Sequence, residues 1–394
     1  MEDIGKIGEK IISGFVDNNF TNLLSFKNPQ NRKNQEICDL LIWLNYTVIL
    51  CEIKTREDGI ATHSWVKSKI EESVDQLTKS FDKINNYDII NLKNSKFHAQ
   101  LDCKNVKNII GLVILVHDND VNYYPTDFDE DVYNKDYPIH FFSWNSFSKL
   151  SFELKTIQDM MYYLKDRYEY LKKFDIAFQY ELELLGYYKS NNYKFPSKKI
   201  ESTEFWKKYI ESYRDKIYNR EQKTQYSLWI DNIEKYLVKN KINKERKLFD
   251  NIPIGMYVAF ELASLDFAFR AEIGQKIAQV KDCLKSGKKT RKFGYENPLT
   301  KNWIIFYFST EDVKVLNEEF NKLTRLKYIQ LKSDVDFSLG IYSFSFHVNL
   351  KENIISMQNI ILHGDNDLGV ITSEEIEEAK SICGRKKLAV LSEY

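Results

Sequence analysis

The feature that most constrains this chain is a pair of short apolar runs, residues 37–44 and 47–53, separated only by Asn45 and Tyr46. Runs of this length, rich in Ile, Leu and Val and broken by a short polar step, read as the arms of a β-hairpin. A turn at Asn45-Tyr46 makes Leu44 face Thr47, and counting outward then sets Asp39 opposite Glu52. Like charges directly opposed on neighbouring strands repel, with Cβ atoms roughly 4.5 to 5.5 Å apart. A divalent cation shared by the two carboxylates offsets that repulsion most simply. Lys54 lies two residues beyond Glu52 and so shares its face of the strand. Two acids for Mg²⁺ (or Mn²⁺) beside a fixed ammonium suit phosphodiester hydrolysis: the ion orients and acidifies a water, and the lysine stabilises charge in the transition state. The bland alternative is a surface hairpin that ends in solvated charges. Glu36 is an odd number of positions from Asp39, which puts it on the other face of a regular strand and gives it a structural role.

The surroundings of the hairpin are patterned. Ile4, Gly8, Ile11 and Phe15, with Ile7 and Ile12 beside them, have helical spacing, and Glu9 stands at the edge of that stripe. Gly5 and Gly8 make no phosphate loop, because no strand precedes them. After the hairpin a long amphipathic helix is expected over 65–84 through Ile70, Val74, Leu77 and Phe81. An Asn/Lys-rich loop follows, then strands over 108–117 and 139–144 and a helix from about Thr156. This order predicts an α/β domain over residues 1–175, a mixed sheet flanked by helices.

These residues resemble the PD-(D/E)XK nuclease superfamily, which includes restriction-endonuclease-like and Mrr-like enzymes. Asp39 matches the first acid of that pattern, Glu52-Ile53-Lys54 its E-x-K, and Glu9 the acid that many members carry on the preceding helix. Gln76 resembles the glutamine that many members place on the following helix near metal and substrate, and Glu36-Ile37-Cys38-Asp39 resembles an E-x-C-D variant. The proline usual before the first acid is replaced by Cys38. The resemblance implies a restriction-endonuclease-like fold and catalysis by Asp39, Glu52, Lys54 and Gln76. It also implies metal ligation by Glu9, Asp39 and Glu52, and a DNA substrate with RNA as the alternative. A homodimer that cuts both strands and a role in bacterial restriction or anti-phage defence belong to the same expectation. A non-catalytic binding module on a retired nuclease fold is the rival from another class.

The remainder, residues 180–394, reads as a helical and then α/β region for substrate choice, a protein partner or regulation. It has helices over 180–251 and 256–284 and strands over 303–308 and 337–350, with an internal boundary possible near Pro253. Basic clusters at 189–199, 239–247 and 285–292 are candidate phosphate contacts, with solvated loops the simpler reading of each. His63, just after Lys54, reads as a loop residue, and His363-Gly364-Asp365-Asn366-Asp367 as a turn. The formal net charge is zero, so nucleic acid would have to be held by local clusters of cations. Five scattered cysteines without a C-x-x-C pair suggest neither a disulfide framework nor a zinc site, which fits a reducing cytoplasm. The acidic N-terminus and the shortness of the apolar run 109–116 exclude a signal peptide and a membrane span as expectations.

Overall fold

The computed structural model describes residues 4–383 except 20–23, 32, 57–58, 87–88, 95–97, 120, 122–136, 175–180, 201–202, 216–219, 241–246, 249–251, 335–339, 353 and 364–371. The chain is mixed α/β and divides into two compact units, residues 1–224 with 238–267, and 225–237 with 268–394. The sequence placed a division at 175–180, and the two compact units divide the chain at other positions. Leu185 and Tyr188, and further on Met256, Ala259, Phe260 and Ala263, belong to the same buried cluster as the hairpin and complete the first core.

In chain order the first unit begins α1 (Ile4–Asn19), β1 (Ser25–Lys27), β2 (Gln30–Asn31), β3 (Leu40–Leu44), β4 (Thr47–Thr55) and α2 (His63–Asn86). It continues β5 (Ile89–Lys93), β6 (His98–Asp102), β7 (Asn108–Val116), β8 (Ile139–Ser143), α3 (Trp144–Leu154), α4 (Ile157–Leu171) and α5 (Glu181–Ser190). A five-stranded sheet has the order β1-β3-β4-β7-β8, antiparallel as far as β4 and parallel from β4 onward. The hairpin has the expected register, from Leu44↔Thr47 to Leu40↔Cys51. Its turn depends on Asn45, whose φ of 52° is a left-handed conformation that asparagine tolerates better than most residues.

Strand β4 is apolar without alternation because it is covered on both faces. Lys54 reaches Gln76 on α2, whereas the next residue, Thr55, abuts Gly8 on α1. Successive side chains of a strand point to opposite faces, so α1 and α2 lie on opposite sides of the sheet. Gly8 is required at its crossing: a Cβ there would stand 2.0 Å from Thr55 Oγ1. On the other face Gly111 of β7 lets Leu77 and Phe81 of α2 close onto the sheet, 3.1 and 3.2 Å from where its Cβ would be.

Where the sequence suggested only an Asn/Lys-rich loop, β5 and β6 pair antiparallel and β2 joins them in a separate three-stranded sheet. Alternation along both strands is regular, with Ile90, Leu92, Ala99 and Leu101 buried between more exposed neighbours. The expected helix from Thr156 is α4, with the Thr156 hydroxyl accepting from Asp159 N–H as its N-cap. It is preceded by α3, which the sequence reading had not separated. Behind the sheet, fully buried Arg167 pairs with Glu181 at 2.7 Å, and Tyr163 donates to the same carboxylate at 2.6 Å. Arg167 also donates to His140 Nδ1 at 3.0 Å. Burial, and then the adjacent guanidinium, push the His140 pKa well down, so the ring is neutral.

The second unit is built on a four-stranded sheet of Thr290–Glu296, Trp303–Ser309, Ile341–Asn349 and Ile354–His363 in that order, with the middle pair parallel. Helix Val313–Asp334 makes the crossover, and helix Ser373–Cys383 is tied to it by Arg325–Glu375 at 2.8 Å and Lys322–Glu378 at 2.5 Å. The expected strands over 303–308 and 337–350 correspond to two of the four. The single helix expected over 256–284 is two, Ile254–Ala263 and Phe267–Lys285. Among the described residues no helix is long and apolar enough to cross a membrane. Cys38, Cys51, Cys103 and Cys283 are free thiols, the first three buried.

Candidate functional site

At the C-terminal end of β4 the sheet runs out of partners on the β3 side. The ladder stops at Leu40↔Cys51, and Asp39, in a bend just before β3, continues it with its side chain: Oδ2 accepts from Ile53 N–H at 2.6 Å. The same register carried one step further sets Asp39 against Glu52, as the sequence suggested. Glu52 is 4% exposed. Burial, and next the Asp39 charge, push its carboxyl up to about 8, against the opposing pull of Lys54. Asp39 is also raised by burial, while the Ile53 N–H and Lys54 act to lower it.

Helix α2 organises the rest of the site from one stripe of its surface. Glu72, Gln76, Ser80 and Lys83 are spaced at four, four and three residues, which keeps them on one face. Gln76 Oε1 accepts from Lys54 Nζ at 2.6 Å, and that ammonium also lies 3.4 Å from Glu72 and 3.6 Å from Glu52. Ser80 donates to Ile37 O, and Lys83 Nζ donates to Glu36 O at 2.9 Å. One helix therefore fixes both the lysine and the backbone that leads into Asp39.

Asp39, Glu52, Lys54 and Gln76 are brought together. Glu9 is half-buried on α1, one residue beyond the Gly8 crossing. Among the described residues no group of three or more His, Cys, Asp or Glu side chains is placed to hold an ion. Two facing carboxylates still fit Mg²⁺, which is commonly bound through one or two carboxylates with substrate phosphates and water in its other positions.

Glu36 is not part of a regular strand. It forms an isolated bridge with Gln30, and the segment after it is irregular, so the strand parity that put Glu36 on the far face does not apply. Its carboxyl is raised by burial and by the Asp39 charge, and it acts in turn on Glu52. Glu72 was also missed, although its place one helical turn before Gln76 was a usable signal. Lys69 at 2.6 Å, the main cause, and Lys54 hold the Glu72 carboxyl below its usual range.

The remaining candidates lie elsewhere. His63 is exposed, as expected, but it opens α2 and is not in a loop. In the cluster 189–199, Lys189 is no surface cation: it is buried on α5, donates to Glu153 O at 3.3 Å, and burial lowers its pKa to about 8. Lys194, Lys198 and Lys199 are exposed, as are Lys285, Lys288, Lys289, Arg291 and Lys292 of the cluster 285–292. Most of 239–247, and residues 364–367 after His363, lie outside the described residues. No protein-family model, no curated protein and no solved structure matches the chain.

Proposed function

We propose that this chain is a metal-dependent endonuclease that hydrolyses phosphodiester bonds of DNA, on a restriction-endonuclease-like fold of the PD-(D/E)XK kind. The observation that carries the reading is the end of β4. There two carboxylates from opposite arms of a hairpin face each other in a largely buried site, and a lysine on the same face is oriented by Gln76. Asp39 and Glu52 would hold Mg²⁺ or Mn²⁺, with Glu9 as a further ligand by resemblance. A bound ion would neutralise charge on the phosphate and lower the pKa of water. Asp39 is held for this by the Ile53 N–H, and Glu52 by the strand itself. Lys54 presents a fixed positive charge where negative charge develops on the phosphate, and Gln76 and Glu72 prevent the long side chain from swinging away. The mixed sheet covered by helices supports the fold assignment. The second unit would serve substrate choice, a protein partner or control, and restriction or phage defence is the context that the resemblance favours.

The test is cleavage of DNA and RNA by the purified chain, side by side, with Mg²⁺, with Mn²⁺ and with EDTA. Metal-dependent DNA cleavage that is lost in Asp39→Ala and Lys54→Ala at unchanged melting temperature is the expected result. Cleavage confined to RNA would make it a ribonuclease. Unchanged cleavage in either variant would remove the assignment.

A further inference from the structure

The small sheet that the sequence did not reveal encloses a cleft of about 580 Å³, lined by Lys27, Asn28, Gln30, Asn91, Lys93, Gln100 and their neighbours. Its chemistry is one-sided. Amides and cations supply its polar groups beside Pro29, Leu92 and Ala99, and among the described residues that line it none is a carboxylate. The amides are ordered by register: Gln30 pairs with Asn91 and Asn91 with Gln100, which makes one row across three strands, and Gln100 Nε2 donates to Asn91 Oδ1 at 3.2 Å. The next outward row pairs Lys93 with His98. Opposite stands the loop after β1, shaped by Asn28 and Asn34 at φ 45° and 58° and by Asn31, whose Oδ1 accepts from Lys33 and Gln35 N–H at 2.8 and 2.9 Å. The wall is therefore preorganised.

This cleft is joined to the candidate catalytic centre through the main chain. Asn28 N–H donates to Asp39 O at 3.0 Å, and Ile37 N–H to Pro29 O at 2.8 Å, so the loop that lines the cleft also braces the segment ending in Asp39. We infer that the cleft holds an unpaired stretch of the DNA strand that is cut, with the amide row reading a base edge and Lys27 and Lys93 meeting flanking phosphates; this rests on the nuclease reading of the site beside it. Asn and Gln side chains offer a donor and an acceptor together and so match base edges, while lysines meet phosphate as point charges. A concave site does not enter a groove of a duplex as a projecting helix or ribbon does, whereas an unpaired strand can enter it.

The test uses the full-length chain in EDTA, so that nothing is cut, and fluorescence anisotropy with a labelled single-stranded DNA oligonucleotide, its duplex and the RNA of the same sequence. Single-stranded DNA should bind most tightly. Lys27→Glu with Lys93→Glu should weaken binding about tenfold or more and flatten its salt dependence by about two counterions. Asn91→Ala with Gln100→Ala should leave the salt dependence as it was and reduce discrimination between oligonucleotides of different base composition. No binding by the parent chain, preference for duplex or RNA, or unchanged affinity in both double variants at the parent melting temperature would overturn the inference. Adding Mg²⁺ or Mn²⁺ to the same mixtures separates the two ideas: a strand that is bound as described but never cut sinks the hydrolytic reading and leaves the strand-binding cleft in place.

Discussion

Glu52→Gln tests whether the opposed carboxylates are a cation site, because it should stabilise the metal-free protein and abolish its response to metal. In the unfolded chain a glutamate has a pKa near 4.5, and in the fold burial and Asp39 push Glu52 up to about 8. Below pH 4.5 the group is protonated in both states and costs nothing. Between 4.5 and 8 the unfolded chain gives up the proton while the fold keeps it, so stability falls as pH rises and levels off above 8. At about 1.4 kcal/mol for each pH unit, the loss by pH 7 is on the order of 3 kcal/mol. Glutamine keeps the shape without the proton linkage. In urea titrations in EDTA, Glu52→Gln should therefore exceed the parent by roughly 3 kcal/mol at pH 7 and by almost nothing near pH 4.5. Saturating Mn²⁺ should then raise the parent melting temperature and leave the variant unmoved, since a ligand of the folded state stabilises only what binds it. A variant that is less stable than the parent at pH 7 in EDTA would refute the reasoning.

Other substitutions probe the parts separately. Gln76→Leu removes the acceptor 2.6 Å from Lys54, and should lower kcat on DNA by about tenfold or more with little change in KM or urea midpoint; parent kinetics would deny Gln76 its positioning role. Gly8→Ala puts a methyl group 2.0 Å from Thr55 Oγ1 and should cost about 1 to 3 kcal/mol. Thr55→Ala in the same chain should recover part of that loss, and additive losses in this double-mutant cycle would place the α1 crossing elsewhere. Glu181→Ala strands the fully buried Arg167 and should cost roughly 3 to 5 kcal/mol in chemical denaturation; a loss below about 1 kcal/mol would mean that the guanidinium finds another partner.

The hairpin and its register were legible because a two-residue polar step between apolar runs leaves few ways to pair them, and the end of the ladder then follows by counting. Lys54 was legible from its two-residue spacing beyond Glu52 and Gln76 by resemblance, with the bond between them added by the structure. For Glu36 counting by twos presumes a strand, whereas the chain before Asp39 is held by side chains of α2 and by the loop after β1. The β5–β6 hairpin was missed for another reason: Asn91, Lys93, His98 and Gln100 face outward, so a half-exposed strand looks in sequence like the polar loop around it. The first core was cut short at 175–180 because distant contributors such as Met256 and Phe260 leave no local pattern that reports which sheet they cover. Likewise, Lys189 reads as one of several surface lysines until tertiary packing closes over it.

The most direct measurement of the central claim is a crystal of the full chain soaked in Mn²⁺ and read for anomalous density. A peak is expected between the Asp39 and Glu52 carboxylates, on the face of β4 that carries Lys54, and none in Glu52→Gln crystals. Density that avoids these two groups at saturating Mn²⁺, or that persists unchanged in the variant, would contradict it.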